Sequence, residues 1–310
     1  MKIPLLVIAG PTGVGKTEES LHIARKWQGE IVVSDSVQIY RYLDIGSGKP
    51  TPAERKEIPH HLMDILDPEE VYDTARFASM AREIIEKIWK KGRLPILVGG
   101  CGFYIRTLLR GIFPGPGRDE KLREKLYKEA QEKGGDVLYA RLKEVDEASA
   151  ARIHPHDIVR IIRALEVFQL TGKPLSWHFK REKKEEIFNY LFLSLIRPRE
   201  ELYSRINNRV EKMWEMGWVE EVNEIIKMGF APDSPGLQSI GYKEVVQFIQ
   251  GKIGKEEAKE IIKKRTRNYA KRQIVWLRKE NPVWITLEEE RGKMQEEIRN
   301  FLGKIEGFRR

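Results

Sequence analysis

The sequence of 310 residues contains one cysteine, Cys101. A disulfide framework and a multi-cysteine zinc site are thereby excluded, and a reducing, cytoplasmic setting is expected. Long apolar runs are also lacking. The longest near the start, Ile3 to Ala9, falls far short of the roughly 20 residues of a membrane span, so no membrane partner is expected. Lys2 before it imitates a signal peptide, but a glycine loop follows where a cleavage site would stand. Histidines number six and nowhere take metal-ligand spacing. His60 and His61 are adjacent and cannot share a face, and His154 and His156 flank Pro155 with no third ligand. Internal repeats and long low-complexity tracts are absent too.

Acidic residues are outnumbered by basic ones, 47 to 56, for a net charge of +9 and a pI near 9.4. That balance points to an acidic partner, nucleic acid first, beside the plainer reading of a soluble basic protein. Lys259–Lys279 holds nine lysines and arginines against one acid, Glu260. The rest of the chain is therefore close to neutral. The segment has helical period, with Ile262, Tyr269 and Trp276 expected inward and the basic side toward phosphate.

Short apolar runs at Ile3–Ala9, Ile31–Ser34 and Leu94–Val98 read as buried parallel strands. Helical patterns separate them, at Lys16–Trp27 and from a cap at Thr74 through Trp89 to Gly92. The breaker cluster FPGPGR at Phe113–Arg118 then ends this alternation. Asp119 to about Gly172 is helical only, and KREKKEE at Lys180–Glu186 reads as a solvated connector. Strands return at Tyr190–Leu195 and Val283–Thr286, with amphipathic helices between. The expectation is an α/β protein: a parallel P-loop core, 1–113 with 184–310, interrupted by an all-helical insertion, 114–183.

Residues 10–17, GPTGVGKT, are a full G-x-x-x-x-G-K-[ST] motif between a strand and a helix, the context that defines a P-loop. Gly10, Pro11, Thr12, Gly13, Val14 and Gly15 would turn amides around a phosphate. Lys16 adds a charge, and Thr17 offers a hydroxyl to Mg²⁺. IVVSD then ends a strand on Asp35. Its carboxylate could hold the metal, act as a base toward an acceptor beside the phosphates, or simply cap a turn.

Beyond Asp35 an ordered series follows: SDSVQIY at 34–40, DIGSGKP at 44–50, PHHLMDI at 59–65, LVGGCGFY at 97–104, RIHPHD at 152–157, RIIRALEV at 160–167, QSIGYKE at 238–244 and RNYAKRQIVWLR at 267–278. With the P-loop, this series resembles the tRNA dimethylallyltransferases over nearly the whole chain. The resemblance implies a Mg²⁺-dependent transfer of the dimethylallyl group from dimethylallyl diphosphate to N6 of adenosine 37 beside the tRNA anticodon. The P-loop would then hold a prenyl diphosphate, not ATP. A small-metabolite kinase and a nucleotide-gated RNA-binding protein are the competing classes.

The resemblance also assigns residues. Asp35 becomes the base at N6. Ser36, Val37 and Gln38 contact the target nucleotide, and Arg209 grips the diphosphate with Lys16. Arg205, one turn earlier, is the residue most easily confused with Arg209. Arg123, which on sequence alone is one exposed charge among many, matches a tRNA contact. So do Val159, Arg160, Ile161, Ile162 and Arg163, with Arg160 and Arg163 as phosphate contacts, and Gln238, Ser239, Ile240, Gly241, Tyr242 and Lys243. Cys101 stands where the family usually has threonine in the reaction channel. A thiol keeps the size but donates a weaker hydrogen bond, and a small buried structural residue is an equal reading. The insertion becomes a clamp on the anticodon stem, and a monomer is expected.

Overall fold

The computed structural model describes residues 2–111, 115–181 and 187–305. The chain divides into two compact units, Met1–Arg110 with Glu186–Arg310, and Gly111–Glu185. Residues 112–114 of the breaker cluster and 182–186 of the charged connector lie outside the described residues.

The first unit is built on a six-stranded sheet in the order β3-β2-β4-β1-β5-β6, every neighbouring pair parallel. Its strands are β1 (Ile3–Ala9), β2 (Gly29–Ser34), β3 (His60–His61), β4 (Leu94–Gly99), β5 (Phe188–Ile196) and β6 (Val283–Thr286). Side chains alternate across the central strands. Leu6, Ile8, Ile96 and Val98 face one helix layer, while Leu5, Val7 and Leu97 face the other. Both faces being covered explains why these strands read as unbroken apolar runs. β3 has no apolar signature in the sequence. It joins the edge because His61 reaches Glu30 (2.7 Å) and the Ile31 amide donates to Pro59 O.

Helix α1 (Lys16–Trp27) packs on the first face, and α3 (Thr74–Lys90) with α4 (Gly102–Arg110) on the second. The start of α3 corrects the sequence expectation. Asp73, not Thr74, is the cap, its carboxylate accepting from the Arg76 amide at 2.8 Å. Asp accepts this bond better than Thr and places Thr74 inside the first turn. After α2 (Pro52–Glu57) is set aside, the remaining helices of this unit all follow β5. They are α10 (Arg199–Glu215), α11 (Trp218–Lys227), α12 (Tyr242–Ile249), α13 (Lys255–Arg278) and α14 (Arg291–Gly303). Trp214, Trp218, Val222, Tyr242, Val245 and Ile262 form a separate core with Tyr40, Leu43 and Leu66 from the segment after β2. That core holds long loop structure against the ends of the strands.

The second unit is helical: α5 (Glu120–Lys133), α6 (Gly135–Val145), α7 (Glu147–Ala150), α8 (Ile158–Thr171) and α9 (Leu175–Arg181). Leu126, Leu138, Leu142, Ile161, Ile162 and Leu165 make its core. Glu166 is fully buried in this unit. Arg123 meets it with two bonds at 2.8 Å, Arg163 with one at 2.6 Å, and the Asp119 amide with one at 2.9 Å. Burial opposes the charge on Glu166, but these donors hold the carboxyl down at about 2. A buried carboxylate is tolerated only when paired this completely.

Candidate active site

The P-loop runs from the end of β1 into α1. Gly13 has φ +82°, and a Cβ there would lie 2.9 Å from Ile206 Cγ1, so the turn requires glycine. Two arginines brace the loop from outside. Arg197 Nε donates to Val14 O at 2.8 Å and Arg205 Nε to Gly13 O at 3.0 Å. Lys16 Nζ folds back onto Gly10 O and Pro11 O, both at 3.0 Å. Enclosure lowers the Lys16 ammonium to about 8, with Asp35 opposing and Arg209 reinforcing the shift. Burial also lowers the Arg209 guanidinium, again against Asp35. Two cations thus share one carboxylate, and the surplus charge favours an incoming anion.

Asp35 follows β2 and does cap a turn, its Oδ1 accepting from the amides of Val37 (2.8 Å) and Gln38 (3.3 Å). Oδ2 has no hydrogen-bond partner among the described residues. Turn and chemistry therefore coexist: one oxygen fixes the carboxylate and the other faces the site. Asp35 lines two cavities. One, of about 40 Å³, is shared with Lys16, Thr17, Ser20 and Gln38. The other, of about 340 Å³, is shared with Thr12, Arg209, Trp218, Gln238 and Tyr269 among others. A phosphate side and a roomier, partly apolar side thus meet at one carboxylate.

Cys101 follows β4, its sulfur facing the amides of Tyr104 and Phe103 at the start of α4. Burial raises its thiol to about 11, partly countered by those amides. At neutral pH it is a neutral thiol and not a nucleophile. Gln273 on α13 was not singled out by sequence reasoning. It is buried, its Oε1 accepts from the Thr12 amide at 2.8 Å, and its Nε2 donates to Gly100 O at 2.9 Å. The signal for it was present: a polar residue four after Tyr269 and four before Leu277, on the face turned to the protein. Tyr269, expected inward, lines the larger cavity.

The expected tRNA contacts separate into two groups. Ser36, Val159, Arg160 and Gln238 are exposed, and Val37, Gln38, Ser239, Ile240 and Lys243 are partly so. Ile161 and Ile162, by contrast, are core residues of the helical unit, so their side chains cannot meet a nucleotide. Gly241 is buried at φ +96°. Tyr242 is fully buried and donates its hydroxyl to Glu221 at 2.7 Å. Helix periodicity explains the first correction, since a contiguous stretch of α8 must turn one face inward. Arg123 is likewise not one exposed charge among many, because Glu166 binds it bidentately.

The basic segment also divides. Lys259 pairs with Glu211 and Glu256, Lys263 with Glu211 and Glu260, and Arg265 with buried Glu244. Lys264, Lys271, Arg278 and Lys279 are exposed and have no acidic partner among the described residues. The charge excess that survives pairing is carried by those residues, by Arg267, whose Nη1 donates to the neutral Asn207 Oδ1 at 2.6 Å, and by Arg272, which lies 5.7 Å from the Tyr269 ring.

A P-loop braced by arginines, opening through Asp35 onto a second substrate cavity, defines a group-transfer enzyme that takes a phosphorylated donor. Comparison with known proteins makes this specific. The profile of IPP transferases matches residues 38–280, and that of isopentenyl transferases residues 3–67. A tRNA dimethylallyltransferase of Pelotomaculum thermopropionicum is 45% identical over 290 residues, 93% of this chain and 92% of that protein. One from Geobacter sulfurreducens is 44% identical over 287 residues, 92% of each. The solved tRNA isopentenylpyrophosphate transferase of Bacillus halodurans superposes with a TM-score of 0.71 at 38% identity, covering 97% of this chain and 96% of that one. A eukaryotic dimethylallyltransferase acting on tRNA gives 0.78 at 34% identity, over 95% of this chain and 77% of that one. The chain belongs to the IPP transferase family.

Proposed function

We propose that this protein transfers a dimethylallyl group from dimethylallyl diphosphate to N6 of the adenosine at tRNA position 37. The observation that carries the reading is the position of Asp35, shared by the Lys16–Thr17 cavity and the larger one. A base at that junction serves an acceptor on one side and a leaving group on the other. The adenine leaves its stack to enter the larger cavity, which Ser36 and Val37 line, with Gln38 beside them on the small-cavity side. N6 attacks the allylic carbon, the carbon–oxygen bond breaks, and diphosphate departs with the electron pair. Asp35 takes the N6 proton, which an amine of such low basicity must lose during attack. Lys16, Arg209 and the P-loop amides stabilise the charge growing on the diphosphate.

The Thr17 hydroxyl and the Asp35 carboxylate border the small cavity together, and both are hard oxygen donors suited to Mg²⁺. Mg²⁺ commonly binds through one or two protein oxygens plus substrate phosphate, and no group of three or more His, Cys, Asp or Glu side chains could hold a metal among the described residues. Thr17 is the residue proposed to hold it, and the ion would supply charge neutralisation on the diphosphate.

On the RNA side, Val159, Arg160, Gln238 and the unpaired cations of α13 are proposed to meet the anticodon stem-loop. Arg163 and Arg123 contribute from their Glu166 clamp. A monomer is proposed as the working unit. No described helix is long and apolar enough to cross a membrane.

The test is direct. Protein, Mg²⁺, dimethylallyl diphosphate and unmodified tRNA are incubated, and the digested nucleosides are separated by mass spectrometry. Dimethylallyladenosine at position 37 with release of diphosphate is the expected result. ATP turnover without prenylated adenosine would replace this reading with a kinase.

A further inference from the structure

The DIGSGK segment at Asp44–Lys49 has no part in the chemistry described above, yet its backbone is held with unusual completeness. The amides of Asp44, Ile45 and Gly46 converge on one carboxylate, that of Glu221 on α11. Asp44 and Ile45 donate to Oε2 at 2.9 and 2.6 Å, and Gly46 donates to Oε1 at 3.4 Å. The Tyr242 hydroxyl donates to Oε1 at 2.7 Å and accepts from the Ser47 amide at 3.2 Å. Successive amides turned to one side form an anion-binding concavity, and here the protein fills it with its own side chain.

The opposite side of the loop faces the active site. Gln38 Nε2 donates to Ser47 O at 3.2 Å and to Gly48 O at 3.3 Å. Arg209 Nη2 donates to Ser47 O at 3.4 Å. A Cβ on Gly48 would lie 1.7 Å from Arg209 Nη2, so backbone and guanidinium are in direct contact. Gly46 and Ser47 themselves line the larger cavity.

We propose that Glu221 and Tyr242 are a positioning pair, fixing the Asp44–Gly48 loop so that its carbonyls aim Arg209 at the diphosphate and Gln38 at the target nucleotide. The inference rests on the roles given to Arg209 and Gln38 above. It also gives buried Tyr242 a function that does not require it to touch RNA. Neither residue reaches a cavity atom that reacts; both act through the loop. A flexible loop would let the guanidinium sample several poses, and precise placement of such donors carries much of transition-state stabilisation.

The test is a double-mutant cycle read by calorimetric binding of inorganic diphosphate with Mg²⁺, alongside steady-state kinetics. Glu221→Gln keeps the shape but presents an amide donor to amide donors. Its diphosphate affinity is expected to fall about tenfold, and that of Tyr242→Phe about threefold. In an Arg209→Ala background, adding Glu221→Gln should weaken diphosphate binding no further. Wild-type affinity in folded Glu221→Gln, or full additivity with Arg209→Ala, would overturn the inference while leaving the proposed reaction standing. If Glu221→Gln fails to fold, Tyr242→Phe carries the same cycle. An Arg209→Ala protein that binds diphosphate as wild type does would remove the role of Arg209 itself, and this inference with it.

Discussion

The two arginine-bearing sites of this protein are electrostatic opposites. Around the P-loop, Lys16 and Arg209 share the single carboxylate of Asp35, and enclosure lowers both cations. In the helical unit, Arg123 and Arg163 close on one fully buried carboxylate, Glu166, with every contact made. The first site is short of negative charge and is completed by its substrate. The second is complete already, so its arginines are fixed in direction by Glu166. A site that must bind and release a small anion gains from incomplete pairing. A site that presents a rigid surface gains from full pairing, because little side-chain entropy remains to be lost on binding.

Removal of the central carboxylate separates the two sites most sharply. Asp35→Ala is expected to lower kcat by about 10²–10⁴, the range of a general base, and, because two turn amides lose their acceptor, to lower the thermal midpoint by about 2–4 °C. Single-turnover assay with a parallel melting curve checks both. Full turnover in the variant would refute the assignment of the base. Glu166→Ala is the mirror case. Two arginines lose their partner, and the helical unit should lose about 3 kcal/mol of stability, while kcat on bound tRNA is largely retained. The pH dependence has a definite sign. The Glu166 carboxyl lies below its unfolded value, at about 2, so its contribution is complete above about pH 4.5 and lost as pH falls toward 2. Denaturant titration across that window measures it.

The P-loop side has the opposite pH signature. Lys16 titrates at about 8, so the free enzyme loses that charge as pH rises through 8. Donor affinity should then decline, approaching about tenfold per pH unit where the protonated form dominates binding. Diphosphate calorimetry from pH 7 to 9.5 reads the slope. A flat profile would mean that Arg209 and the amides suffice.

How far the sequence reached differs between the sites for physical reasons. The P-loop, the strand before it and Asp35 were legible because their chemistry is contiguous: eight residues make the cradle. The central strands were legible because both faces are covered. β3 was not, since two histidines at a sheet edge carry no apolar period. Glu166 was not, since its partners lie up to 47 positions away and a Glu within an amphipathic helix normally faces solvent. The same limit applies to Glu221, which meets Asp44 across 177 positions. Ile161 and Ile162 show the converse error. A motif match runs continuously along α8, while a helix presents only one face, so a matched stretch contains core residues as well as contacts.

The basic helix sharpens the contrast within one element. Lys264, Lys271 and Arg278 lack acidic partners among the described residues, whereas Lys259 and Lys263 are neutralised by Glu211 and its neighbours. Replacing the first three with Ala should reduce the slope of log affinity against log salt for tRNA by up to about 2. Replacing Lys259 and Lys263 should move it much less, because those charges release few counterions. Equal slopes in the two variants would show that the pairing does not persist in solution.

The smallest expected effect concerns Cys101, and it tests whether the P-loop unit tolerates variation that the paired helical unit does not. Burial keeps the thiol neutral, raised to about 11, and it sits at the start of α4 with two amides facing its sulfur. That is the environment of a helix cap, which a hydroxyl fills better than a thiol. Cys101→Thr should therefore raise stability slightly and leave kcat within about twofold, since one neutral hydrogen bond is worth about 1 kcal/mol or less here. A gain of tenfold or more in kcat would instead mean that the hydroxyl stabilises the transition state and that this chain works without it. The two outcomes separate in one measurement, because a cap acts on the melting temperature and a transition-state donor acts on kcat.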